Sequence, residues 1–143
     1  MTDDTWTRLD ATFVKFPILK AEPVPAAEVD AASARLRLPF PVDYREFLER
    51  YGAAIVGPFP IFGLRPVEPM GNDWSVVNVN RRYRIDNWPG VENWLVVSAD
   101  HAGNPIGIDG DGRLWISDHD LGGISGVGED FEDFLRRKCL NIR

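Results

Sequence analysis

Apolar residues recur at helical spacing early in the chain and in short, strand-like runs later. In residues 40–51, Tyr44, Phe47, Leu48 and Tyr51 fall at i, i+3, i+4 and i+7. That spacing puts them on one face of a helix, with Arg45, Glu46, Glu49 and Arg50 on the other. Pro41 and Asp43 stand where a helix begins and Gly52 where one stops. Trp6, Leu9 and Phe13 predict a helix over residues 5–16. Val29, Ala32 and Leu36 predict another over residues 25–37, with Pro25 near its first turn.

The period then shortens. Residues 54–56 and 59–64 read as strands broken by Gly57 and Pro58, and 67–72 as a loop. Residues 73–84 fit a helix capped by Asp73, while Val76, Val77 and Val79 fit a strand equally well. Residues 94–98, 105–108 and 114–117 are the clearest strands. The last two are joined by Asp109-Gly110-Asp111-Gly112, which is hairpin chemistry. The glycine-rich run 122–128 reads as a flexible connector. Residues 129–139 predict a closing helix with Phe131, Phe134 and Leu135 inward. Its acidic residues come first and its basic ones last, complementing the helix dipole. The order predicts an α+β fold, a central, largely antiparallel sheet flanked by helices. The proline-rich stretch 17–25 divides an N-terminal segment, 1–24, from the main domain, 25–143, within one globular unit.

Composition narrows the chemistry. The chain has 143 residues, enough for one domain with a core, and a net charge of -6 that opposes binding to nucleic acid. Its single cysteine, Cys139, sits in the apolar register of the last helix and reads as a buried structural thiol. The N-terminus lacks the pattern of a secretory signal, and no apolar run reaches the roughly 20 residues needed to span a bilayer. The expected location is cytoplasmic, away from any membrane.

Asp109, Asp111, Asp118 and Asp120 cluster in sequence but lack the spacing of a calcium loop. His101 and His119, the only histidines, have no partner at zinc-ligand spacing. Ser98-Asp100-His101 and Ser117-Asp118-His119 contain the residue types of a hydrolase triad. Strand neighbours point to opposite faces, however, and no nucleophile elbow is present. The run 122–128 has no phosphate-loop ending. Arg81, Arg82 and Arg84, with Tyr83 and Trp88, form one basic cluster, suited to internal ion pairing or a partner contact. No catalytic residue, metal or cofactor is expected.

Three segments, in order, resemble the SUKH superfamily, the Smi/Knr-type proteins. Phe40-Pro41-x-Asp43-Tyr44-Arg45-Glu46-Phe47-Leu48 is similar to its Leu-Pro-x-x-Tyr-x-x-Phe-Leu helix. Residues 103–109, with Gly112-Arg113-Leu114-Trp115 and Asp118-His119, resemble its strand, turn and strand. Phe131-Glu132-Asp133-Phe134-Leu135 is similar to its closing helix. Where the family often has Asn-Gly-Gly after the tyrosine helix, this chain has Tyr51-Gly52-Ala53, a change that bears on that turn. The resemblance favours a helix over residues 73–84. It implies a protein-binding role, as in bacterial immunity proteins that neutralise toxin domains or in scaffolds of fungal wall signalling.

The expected partner is therefore a cognate toxin domain, possibly basic, such as a nuclease, held by occlusion. Asp111, Asp118, Asp120, Trp88 and Trp115 are candidate contacts, chosen for acidity, loop position and aromatic character. The alternatives are a scaffold for an endogenous protein and, from another class, a small hydrolase using His101 or His119.

Overall fold

The tyrosine stripe is buried as its spacing dictates: Tyr44, Phe47, Leu48 and Tyr51 all face the core of the protein. The computed structural model describes residues 1–120 and 122–142. In chain order its elements are α1 (Asp3–Lys15), α2 (Ala26–Leu36), α3 (Val42–Tyr51), β1 (Ala54–Val56), β2 (Phe59–Ile61), α4 (Val76–Ile85), β3 (Leu95–Ala99), β4 (Pro105–Ile108), β5 (Leu114–Asp118), β6 (Gly123–Gly128) and α5 (Phe131–Phe134). α5 runs on into a π-helical turn over Leu135–Cys139. The fold is α+β, one domain with a six-stranded antiparallel sheet in the order β1 to β6.

Pairing puts Leu95 opposite Ile108 and Ile108 opposite Leu114, so one sheet face carries a row of buried aliphatics. Above the core, the Phe131 ring meets Tyr44 at 5.4 Å and Phe47 at 5.6 Å, which joins α5 to α3. The fully buried Tyr44 hydroxyl donates to the Phe62 carbonyl at 2.6 Å, so its burial leaves no polar group unpaired. α1 adds Trp6, Leu9 and Phe13 to the same core, with the Phe13 ring 4.8 Å from Tyr51. The proline-rich stretch is docked: Lys20 bridges Ala54, and the Ala21 N–H donates to the Ala53 carbonyl. That contact covers the outer edge of β1.

Gly52 stops α3 at a φ of 76°. A Cβ there would lie 2.1 Å from the Glu22 carbonyl, so glycine is required sterically as well as conformationally. Residues 76–85 are helical. The cap is Ser75, whose Oγ accepts the Asn78 N–H, and Asp73 instead pairs with Arg82 at 2.8 Å. The glycine run is not a connector. It forms β6, paired along β5 from Asp118↔Gly123 to Leu114↔Gly128.

β2 is short and meets β3 at the single pair Ile61↔Ser98. Val96, farther along β3, therefore has no strand partner on that side. The buried Asn80 side chain fills the gap. Its Oδ1 accepts the Val96 N–H at 2.7 Å, and its Nδ2 donates to the Val96 carbonyl at 2.8 Å and to Val76 at 2.7 Å. Replacement by alanine strands both backbone groups in the interior. Asn80→Ala is expected to lower stability by about 3 kcal/mol, read as a lower urea midpoint at unchanged slope. An unchanged midpoint would show that water satisfies Val96 as well as the amide does.

Candidate partner-binding surface

The three strand connections from β3 to β6 use one device. Asp100, Asp109 and Asp118 stand nine residues apart in the sequence. In each, Oδ1 accepts the backbone N–H two residues on: Ala102, Asp111 and Asp120 respectively. Asp100 and Asp109 also accept from the fourth residue on, Asn104 and Arg113. These are Asx turns, in which a carboxylate closes its own loop.

Successive tips of a meander lie at opposite ends of the sheet. The turns at Asp100 and Asp118 therefore share one end, and the turn at Asp109 lies at the other. Asn104 joins the two neighbouring tips. It is buried, its Nδ2 donates to Asp100 at 2.9 Å, and its Oδ1 accepts the His119 backbone N–H and faces His119 Nδ1 at 2.6 Å. An amide oxygen can only accept, so Nδ1 is the donor in that contact. Nε2 points at Asp120 Oδ1, 3.1 Å away. The Trp88 ring packs edge-on against His119 at 5.2 Å and against Tyr83 at 5.6 Å, and the Tyr83 hydroxyl donates to the Gly103 carbonyl.

Three of the five residues expected to contact a partner, Trp88, Asp118 and Asp120, thus gather around His119. Beside them lies a depression of ≈ 490 Å³ lined by Pro89, Ser117, Asp118, His119, Gly122, Gly123 and Ile124. Asp111 is exposed at the opposite end. Trp115 is half-buried in mid-strand, with its indole N–H held by Asp109 Oδ2 at 2.8 Å. Sequence reasoning missed Asn104, the residue that links the two tips. The nine-residue recurrence of Asp, with Gly at the fourth place of the first two turns, was the available signal.

A second cleft, ≈ 380 Å³, opens between the β1–β2 hairpin and the β3–β4 tip. Its floor is apolar, with Ile55, Pro60, Phe62 and Met70, and its rim carries the Asp73–Arg82 pair, Tyr83, Asp100 and His101. Arg84 is half-buried behind Trp88. Its Nε has no hydrogen-bond partner, and burial lowers its pKa. Among the described residues, no hydroxyl or thiol is hydrogen-bonded to either histidine. The Cys139 thiol is buried, and its pKa is pushed up by desolvation. No group of three or more His, Cys, Asp or Glu among the described residues could hold a metal ion. No helix among them is long and apolar enough to cross a membrane. The geometry orients a histidine and displays carboxylates beside an aromatic ring.

Two of the turn carboxylates, Asp109 and Asp100, have lowered pKa values. At Asp109, partial burial raises the pKa, but the bonds from Trp115, Arg113 and Asp111 outweigh it, and the value falls below the ordinary 3.8. Asp100 is lowered against the same opposition, chiefly by the Asn104 side chain. A lowered folded-state pKa gives stability that is complete above the unfolded value and lost as pH falls through the folded one. An amide has one acceptor oxygen where the carboxylate has two. Asp109→Asn is therefore expected to melt below the wild type at neutral pH, with the gap closing as pH falls below the ordinary carboxylate value of 3.8. Thermal melts across that range test it; a gap independent of pH would assign the loss to packing rather than charge.

The model of the SMI1 / KNR4 family (SUKH-1) matches residues 23–137. The match takes in every strand, α2 to α5 and the whole His119 end of the sheet. No curated protein matches the chain.

Proposed function

Because the chain belongs to the SMI1 / KNR4 family (SUKH-1), we propose that it is a non-catalytic protein-binding module, an immunity protein that neutralises a cognate bacterial toxin domain in the cytoplasm by covering its working surface. The family covers immunity-type and regulatory modules, and neither role needs chemistry at this surface. One observation supports the reading most: Asp118 and Asp120 flank His119, whose exposed ring packs on Trp88 and lines an open, largely apolar depression. Carboxylates steer a basic surface into contact, and a half-buried indole supplies the kind of anchor that carries most of an interface's energy. A toxin that acts on nucleic acid needs a basic cleft, and an acidic surface competes for it with phosphate.

The test is co-expression with the toxin-like product of an adjacent gene, scored by survival. The wild type is expected to protect. Trp88→Ala is expected to weaken the isolated complex by about 2 kcal/mol. Asp118→Asn with Asp120→Asn is expected to slow association by about tenfold at low salt, and less at high salt. Cells that die equally with and without the protein would remove the immunity role for that pair. A stable complex with an endogenous, non-toxic protein would move the assignment to the regulatory side of the family.

A further inference from the structure

The two edges of the sheet are treated differently. β1 is covered by the segment at Lys20 and Ala21. β6 pairs only with β5, and among the described residues its outer backbone groups have no partner. An open edge is a template for another strand, and proteins usually blunt it with proline, lysine or inward-pointing charge. Residues 123–128, Gly-Ile-Ser-Gly-Val-Gly, contain none of these. Their one irregularity is a bulge at Val127, between the pairs Trp115↔Gly126 and Leu114↔Gly128. The run Gly123–Gly126 keeps regular register and is exposed throughout.

Two side-chain features mark this edge as usable. Gly126 lies opposite Trp115, and a Cβ on it would approach only that ring, at 3.8 Å. The missing side chain leaves the indole accessible across β6 to a residue on an incoming strand. Ile124 is 46% exposed and lines the ≈ 490 Å³ depression beside His119. We propose that β6 is the docking edge for a partner protein, which adds an extended segment to the sheet and carries lysine or arginine where it passes Asp118 and Asp120.

Charge selects this occupant. Asp118 and Asp120 stand at the start of β6, and Glu129 and Asp130 follow its end. Arg113, Arg137 and Lys138 share that far end, with Arg137 held by Asp133 at 2.6 Å. Asp109 and Asp111 lie at that end too, so acidic groups outnumber basic ones there and both ends of the strand are acidic. A second copy paired antiparallel would bring its own Asp118 and Asp120 alongside Glu129 and Asp130, between two chains of net charge -6. A basic segment meets no such opposition. Backbone hydrogen bonds would supply affinity, and the Trp115 and Ile124 positions would supply selectivity.

This proposal rests on the protein-binding reading and names its mode. The probes are three synthetic peptides of about seven alternating Val and Thr residues. One carries two lysines at its end, one carries glutamates there instead, and one carries the lysines and a central proline. Hydrogen exchange and amide shifts of the full chain are followed to millimolar peptide. The lysine peptide is expected to slow exchange at alternate amides of residues 123–128. The glutamate peptide is expected to bind about tenfold more weakly, and the proline peptide to give no protection. Ser125→Lys with Gly126→Lys, two exposed positions, should abolish the effect while melting within a few degrees of the wild type.

Shifts confined to the cleft of Tyr83 and His101, or no protection of β6, would overturn the proposal. So would protection that grows with protein concentration alone at dimer mass, which would assign the edge to a second copy. The survival assay separates this from the broader reading. If the wild type protects and the double-lysine variant protects equally, the edge is wrong and the function stands. If the wild type does not protect, the immunity reading fails, whatever the peptides do.

Discussion

One buried amide links the sheet to the surface. β2 ends too soon to pair all of β3, and the Val96 N–H and C=O would be orphaned in the interior. Asn80 closes them from α4 and uses its remaining hydrogen on Val76 of the same helix. α4 therefore cannot slide or rotate without breaking a buried hydrogen bond. That constraint places Tyr83 against the Gly103 carbonyl and so fixes the β3–β4 tip. It also holds the Tyr83 ring against Trp88, which in turn packs on His119.

What could be read from the sequence follows the range of the interaction. Helices α1, α2 and α3 were legible because 3.6-residue periodicity is local, and Tyr44 and Phe47 carry it strongly. β3, β4 and β5 were legible from short apolar runs and the Asp-Gly-Asp-Gly turn. β6 was not, because Gly123, Gly126 and Gly128 erase the apolar alternation, and only pairing with β5 makes that run a strand. Asn80 gave no local sign, since its partner lies sixteen residues away.

The same reasoning explains the candidate contacts. Acidity and aromatic character picked out Trp88, Asp118, Asp120, Asp111 and Trp115, but only the meander sorts them between ends. Asp111 goes to the far tip, and Trp115 is tied to Asp109. Trp88 reaches His119, the residue between Asp118 and Asp120, where Asn104 ties the tips at Asp100 and Asp118 together. The Asp residues of the turns have two tasks at once. Their oxygens close the loops, and the bonds that do so at Asp100 and Asp109 keep those carboxyls ionised. At Asp100 and Asp109 the charge is thereby held in place by the turn itself.

A rigid display of charge and aromatic surface suits occlusion, which consumes one binder for each target. The most direct test is a titration of the toxin domain proposed as its partner with this protein, read by residual toxin activity and by native mass spectrometry. Occlusion predicts that activity reaches zero at one equivalent, in a 1:1 complex whose two chains keep their unmodified masses. Inactivation by a small fraction of an equivalent, with a changed toxin mass, would contradict it and make this protein an enzyme.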